Sequence, residues 1–199
     1  MDWDTRYSGS DFLFGTAPAD FLVREAPRIP KDARVLCVAD GEGRNGVHLA
    51  RLGHRVTTFD FSANAVSKAR GLAEEAGVTV EMNVSTMQDW DWSRKFDALV
   101  AVFIQFLDPE ARAQAFARFA DALRPGGLLL LHGYAPRQVG YGTGGPGAVE
   151  NMYTEALLAE AFAGWEVLLS ADYDAEIHEG AGHSGRSALV DFVAVRPGG

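Results

Sequence analysis

Cysteine is nearly absent: Cys37 stands alone among 199 residues, flanked by Leu36 and Val38. One thiol builds neither a disulfide nor a multi-thiolate metal centre within a chain, and its apolar neighbours mark a buried strand position. Basic runs are missing as well. Lys and Arg number 18 against 27 Asp and Glu, a formal charge of -9, so the stripe of cations that neutralises phosphates is not there. Nucleic acid is therefore not the expected partner. No segment approaches the roughly 18 consecutive apolar residues of a membrane span, the opening Met1–Tyr7 is polar and aromatic, and the expected location is the cytoplasm. The low-hydrophobicity, high-charge composition of disordered chains is also lacking, with 47% hydrophobic and 23% charged residues.

What is present is an alternation of short β-rich apolar runs with amphipathic stretches, the pattern of βαβ units around a largely parallel sheet. Strands are expected at Arg34–Ala39, Arg55–Asp60, Val78–Met82, Phe96–Phe103 and Leu128–His132. A helix follows the glycine turn and ends near Gly53, and Ser62 caps another whose Ala65, Ala69, Leu72, Ala73 and Ala76 form one buried face up to Gly77. Asp108-Pro109-Glu110 is a helix start ending at Arg124-Pro125-Gly126-Gly127, and Thr154 caps a last helix. Trp165–Ile177 and Ser187–Val195 suit an antiparallel hairpin with a polar, glycine-rich turn. Residues 133–153 are too rich in glycine and proline for regular structure and are expected to act as a lid or pocket wall. The expectation is one domain over 1–199, with an N-terminal arm and helix over 1–30.

The chemistry concentrates after the first strand. Gly41-x-Gly43-x-x-Gly46 lies where an open α/β sheet binds ligands, and Asp60 ends the second strand, where a carboxylate accepts hydrogen bonds from both hydroxyls of a ribose. Turn and acid together form an adenosine site. The glycine spacing alone also fits a dinucleotide. Asp40 and Glu42 tilt the choice, since at a few ångströms each would repel a pyrophosphate by on the order of 1 kcal/mol or more. S-adenosylmethionine (SAM) has no phosphate and carries a cationic sulfonium and amino group.

The phrases Trp3-Asp4-x-Arg6-Tyr7, Phe14-Gly15-Thr16-x-Pro18, Gly43-Arg44-Asn45, Asp60-Phe61-Ser62 and Leu123-Arg124-Pro125-Gly126-Gly127 resemble the class I SAM-dependent methyltransferases, and within them the tellurite-resistance and thiopurine methyltransferase-like group. The resemblance implies a doubly wound, seven-stranded, mostly parallel sheet of order 3-2-1-4-5-7-6, its last strand antiparallel, with helices on both faces. It implies that Ala39, Gly41 and Gly43 line the methionine end of SAM, that Asp60 holds the ribose, that Phe61 lies beside the adenine, which Thr86 and Met87 contact, and that Asp40, Glu42, Asn45 and Ser62 are among the cofactor-binding residues. Val102 and Phe103 would lie beneath the sulfonium, and Arg6 would reach the cofactor carboxylate. Three positions depart from the pattern: Ala39 replaces the usual first glycine, and Cys37 and Thr86 each replace a usual acid.

Methyl transfer is an in-line displacement from an already activated sulfonium, so alignment and water exclusion carry it and no protein nucleophile is required. Trp3, Tyr7, Phe14, Gln105, Phe106, Arg137 and Tyr141 are the expected acceptor-binding residues. Tyr134 and His183 are the candidates for handling a proton. Glu176, His178, Glu179 and His183 are suitable ligand types but lack a chelating spacing, so no metal is expected. The function implied is methyl transfer from SAM to a small-molecule acceptor, a thiol or chalcogen compound by analogy, releasing S-adenosylhomocysteine (SAH), by a monomer or weak homodimer. A nicotinamide-dependent oxidoreductase and a non-catalytic SAM- or SAH-binding module remain the alternatives.

Overall fold

The computed structural model describes residues 3–180 and 183–198, with the backbone alone at His183. Seven strands form one sheet of order β3-β2-β1-β4-β5-β7-β6, from β1 (Arg34–Val38), β2 (Arg55–Asp60), β3 (Glu81–Val84), β4 (Phe96–Val102), β5 (Leu123–Tyr134), β6 (Glu166–Glu179) and β7 (His183–Val195). The first five run parallel, whereas β7 is antiparallel to both β5 and β6. This is the order and polarity that the resemblance implied.

Both faces of the sheet centre are covered, which is why β1 and β4 read as near-continuous apolar runs. On one face Val35, Cys37, Val100 and Leu130 meet Phe21 and Leu22 of α2 (Asp20–Glu25) and Leu49 of α3 (Arg44–Arg51). On the other, Leu36, Leu99 and Leu129 meet Phe116 and Phe119 of α5 (Pro109–Ala122) and Leu158 of α6 (Glu155–Ala161). The predicted caps form: Ser62, Asp108 and Thr154 accept from the backbone N–H of Ala65, Ala111 and Leu157, starting α4 (Ala63–Glu75), α5 and α6.

Boundaries depart from expectation where glycine and local apolar residues mislead. The third strand is not Val78–Met82 but begins at Glu81, because Val78 and Val80 pack on α4 and pairing with β2 starts at Thr57↔Glu81. The fifth strand opens earlier, at Leu123, since α5 stops at Ala122, and it reaches Tyr134. The hairpin turn is shorter than expected: Glu176 faces Arg186 and Ile177 faces Gly185, so the polar residues there are paired strand rather than loop. Within 133–153 two short 3-10 turns form, at Pro136–Gly140 and Val149–Asn151.

Candidate functional site

The strand order reverses between β1 and β4, and the crevice at their carboxyl ends is where open α/β sheets bind ligands. Two adjoining pockets lie there. The first is walled by the β1–α3 turn (Ala39, Asp40, Gly41, Glu42), by Asp60 and Phe61, and by Val102. The second is walled by Arg6, Gln105, Tyr134, Asn151 and the glycine-rich stretch 144–148. Trp3, Phe14, Phe103 and Phe106 line both. Ala39 and Phe103, at the ends of the two switch-point strands, have φ of 48° and 55°. Left-handed backbone in a non-glycine residue stores of order 1–3 kcal/mol and concentrates where geometry serves function.

Each glycine of the turn answers a different demand. Gly41 has φ 55°, and a Cβ there would stand 3.0 Å from the Tyr7 hydroxyl, so the arm rests on it. Gly43, at φ 84°, ends the turn as the N-cap of α3, and its Cβ would fall 2.6 Å from that of Ala69, so it permits α3 to lie against α4. At Gly46 a Cβ would collide with Thr58 and with Asp40. That close approach lets the Asp40 carboxylate accept the Gly46 N–H at 3.0 Å, inside the first turn of α3. Burial pushes the Asp40 carboxyl up to about 7, against the Gly46 bond and the positive charge of Arg44.

Asp60 is held between two turns. Its Oδ2 accepts the Gly41 N–H at 2.9 Å and its Oδ1 the Ser62 N–H at 3.0 Å, which fixes the carboxylate beside the first pocket. Burial is the first cause raising its pKa. The other acid of the turn is engaged differently: Glu42 is buried, pairs with Lys68 at 2.8 Å and accepts the Leu13 N–H at 2.8 Å. Arg44 pairs with Glu179 at 2.6 Å, and Asn45 accepts the Ala19 N–H at 3.0 Å. Glu42, Arg44 and Asn45 thus fasten residues 13–19 of the arm over the turn. At the arm's start, in α1 (Trp3–Arg6), Asp4 accepts from the Ser62 hydroxyl at 2.6 Å.

Several expected site residues stand elsewhere. Thr86 bonds Asp89 at 2.7 Å and caps its own turn, and Met87 is buried in the core that includes Trp90; neither lines a pocket. Gly43 and Ser62 serve the α4 end of the site through packing and capping rather than as pocket lining. Arg137 forms ion pairs with Asp172 and Asp174, and Tyr141 donates to Asp174 at 2.7 Å, so both pin the connection onto β6 instead of facing the second pocket. Gln105 lines that pocket, but its amide donates to the Tyr134 carbonyl at 2.8 Å and accepts the Tyr134 N–H at 2.7 Å, clamping the end of β5. Tyr134 itself is buried, and burial raises its phenol well above the usual range. The side chain of His183 lies outside the described residues, and its backbone begins β7 and pairs with Glu179 of β6 rather than sitting in a turn. Among the described residues no group of three or more His, Cys, Asp or Glu is placed to hold a metal, and no helix is long and apolar enough to cross a membrane.

Residues 144–148 wall the second pocket within the connection expected to do so, but Gly15, Val38, Arg44 and Val100 in the first pocket and Asn151 in the second were not singled out as site residues. Arg44 carried a signal, beginning a helix directly after the glycine turn. Asn151 carried none.

A family model described as a methyltransferase domain matches residues 35–127. A ubiquinone biosynthesis O-methyltransferase from Methylocella silvestris is 34% identical over 109 residues, covering 54% of this chain and 42% of that protein. The tRNA 5-carboxymethoxyuridine methyltransferase of Escherichia coli (strain K12) is 32% identical over 111 residues, covering 53% and 41%. The chain therefore spans under half the length of these two relatives. Among solved structures, one titled for the conversion of a disulfide bond into a thioacetal group during echinomycin biosynthesis superposes with a TM-score of 0.80 at 20% identity, covering 98% of this chain and 90% of that one. The matched segment, just under half of the chain, is thus similar to a methyltransferase domain, and the sheet has the strand order that the resemblance to class I SAM-dependent methyltransferases implied. TehB from Haemophilus influenzae shares the fold, with a TM-score of 0.73 at 18% identity over 98% of this chain and 65% of that one.

Proposed function

We propose that the first pocket binds SAM and the second a small-molecule acceptor, so that the methyl group passes across the boundary lined by Trp3, Phe14, Phe103 and Phe106. The observation that carries this reading is the charge left in the first pocket. Glu42 and Arg44 are each neutralised by an ion pair, and the remaining ionisable carboxylates in its wall are Asp40 and Asp60. A sulfonium with an ammonium group suits that wall; a diphosphate would be repelled by it. Asp60 would take the ribose hydroxyls, the aromatic residues of the arm would flank the cation, and SAH would be the product.

The described lining of the second pocket offers no carboxylate, imidazole or amine, and the Tyr134 phenol, held protonated, suits donation better than proton removal. An acceptor that arrives already nucleophilic, such as a thiolate or another soft chalcogen, fits those walls. A small acceptor rather than nucleic acid also agrees with the charge of -9.

Titration calorimetry with SAM, SAH and NAD tests the cofactor, and SAH release on adding thiols and chalcogen oxyanions tests the chemistry. Binding of SAM and SAH but not NAD is expected. NAD binding without SAM would make the protein a nicotinamide enzyme, and SAM binding with no turnover across acceptors would make it a binding module.

A further inference from the structure

Outside both pockets, a buried polar chain runs from the protein surface to the back of Phe103. Arg24 on α2, half-exposed, donates to Asp191 of β7 at 2.7 Å. The Tyr173 hydroxyl of β6 donates to the same carboxylate at 3.0 Å. Burial, followed by the Asp191 charge, pushes the Tyr173 phenol up to about 12, so it remains a donor. The third partner is His132 on β5, whose Nδ1 lies 2.6 Å from Asp191 Oδ1. The carboxylate selects the tautomer with its proton on Nδ1 and fixes the plane of the ring. That ring stacks on Phe21 at 4.9 Å and 10°, and meets Phe103 at 4.7 Å and 70°. The His132 carbonyl also accepts the Phe103 N–H at 2.9 Å.

Neither His132 nor Asp191 touches a pocket, although both are almost fully buried. A satisfied buried network of this kind specifies one geometry more than it adds stability. The geometry it specifies is that of Phe103, a bulky residue held at positive φ in the wall that the two pockets share. We propose that His132, locked by Asp191 and Arg24, is a positioning residue that holds the Phe103 ring at the boundary of the two pockets. Its consequence for SAH binding rests on the cofactor reading above; its action on Phe103 does not.

The test places 4-fluorophenylalanine at position 103 alone and follows its fluorine NMR signal and the dissociation constant for SAH in the full chain. One narrow resonance that moves on adding SAH is expected without further substitution. His132→Leu, which keeps volume but loses the bond and the ring edge, should split or broaden the resonance and raise the dissociation constant about tenfold, in the range for residues coupled through one network. Arg24→Met, at the surface end, should do the same more weakly, and it decides the matter should His132→Leu fail to fold. A resonance as narrow as in the parent chain in the folded variants overturns the proposal, whatever happens to melting temperature. If the parent chain binds no SAH, the cofactor reading falls, while the line shapes still decide whether His132 positions Phe103.

Discussion

The β1–α3 turn and the connection over 133–153 are both glycine-rich walls of the same crevice, yet neighbours constrain every glycine of the turn and only some of those in the connection. In the turn every glycine is demanded by a neighbour: Gly41 by Tyr7, Gly43 by Ala69, Gly46 by Asp40 and Thr58. In the connection the demand is confined to Gly133, against Gln105 and Tyr153, and Gly145, against Gln138 and Tyr134, while Cβ atoms at Gly140, Gly142 and Gly147 would meet nothing within 4 Å, and side chains supply further fixed points. Buried Gln138 accepts the Ala188 N–H and donates to Thr143 and the Gly144 carbonyl, holding the segment against β7. A rigid wall suits a constant ligand, and a wall tied at a few points suits a variable one.

Substitutions should expose that difference. The largest effect is expected for Gly43→Ala, where a 2.6 Å clash with Ala69 adds to the cost of positive φ; a loss of about 2–5 kcal/mol in urea unfolding follows from overpacking and the left-handed backbone together. Gly147→Ala, its counterpart in the connection, should change stability by less than about 0.5 kcal/mol. A comparable loss at both sites would break the contrast.

Next in size, Glu179→Gln leaves Arg44 without its buried carboxylate and should destabilise by about 3 kcal/mol, read by thermal unfolding. Because Arg44 also donates to the Ala17 carbonyl, the same change should loosen the arm and speed its proteolysis. Asp60→Ala should weaken SAM binding at least about tenfold, or 1.4 kcal/mol; an unchanged affinity would show that the ribose lies elsewhere.

Asp40 gives a pH signature confined to the turn. Its carboxyl is raised from 3.8 to about 7 in the folded protein, so the fold favours the neutral form. That contribution to stability is fully present below the ordinary value and is lost as pH rises through about 7. A cationic ligand favours the ionised form, so SAM affinity should climb as pH rises toward about 7 and then level off, with proton release on binding. Asp40→Asn should flatten the profile, and a profile unchanged by that substitution would remove Asp40 from the ligand's field. A gain is expected at Ala39, where φ is 48°: Ala39→Gly should stabilise by about 1 kcal/mol, seen as a higher melting temperature.

The same contrast explains what the sequence could and could not disclose. Parallel strands with short connections declare themselves through apolar runs and caps, so β1, β2 and β4 and the helix starts were legible, while the strand order came from the family resemblance alone. The turn was legible as a site because glycine spacing and Asp60 are local to it. Hidden from the sequence was where polar atoms point. Glu42 and Asn45 read as cofactor contacts, but their hydrogen bonds hold Leu13 and Ala19 of the arm. Arg137 and Tyr141 read as acceptor contacts, but Asp172 and Asp174 lie opposite them on β6, a neighbour fixed only by hairpin register. Asn151 reached the second pocket through a 3-10 turn whose end no periodicity marks.

A crystal structure with SAH bound tests the central claim most directly. The account predicts the ribose on Asp60, the amino-acid end against Gly41 under Trp3 and Tyr7, and the sulfur facing the second pocket beside Phe103. A phosphate-bearing ligand seated on residues 40–46, or SAH bound away from the β1–β4 crevice, would contradict it.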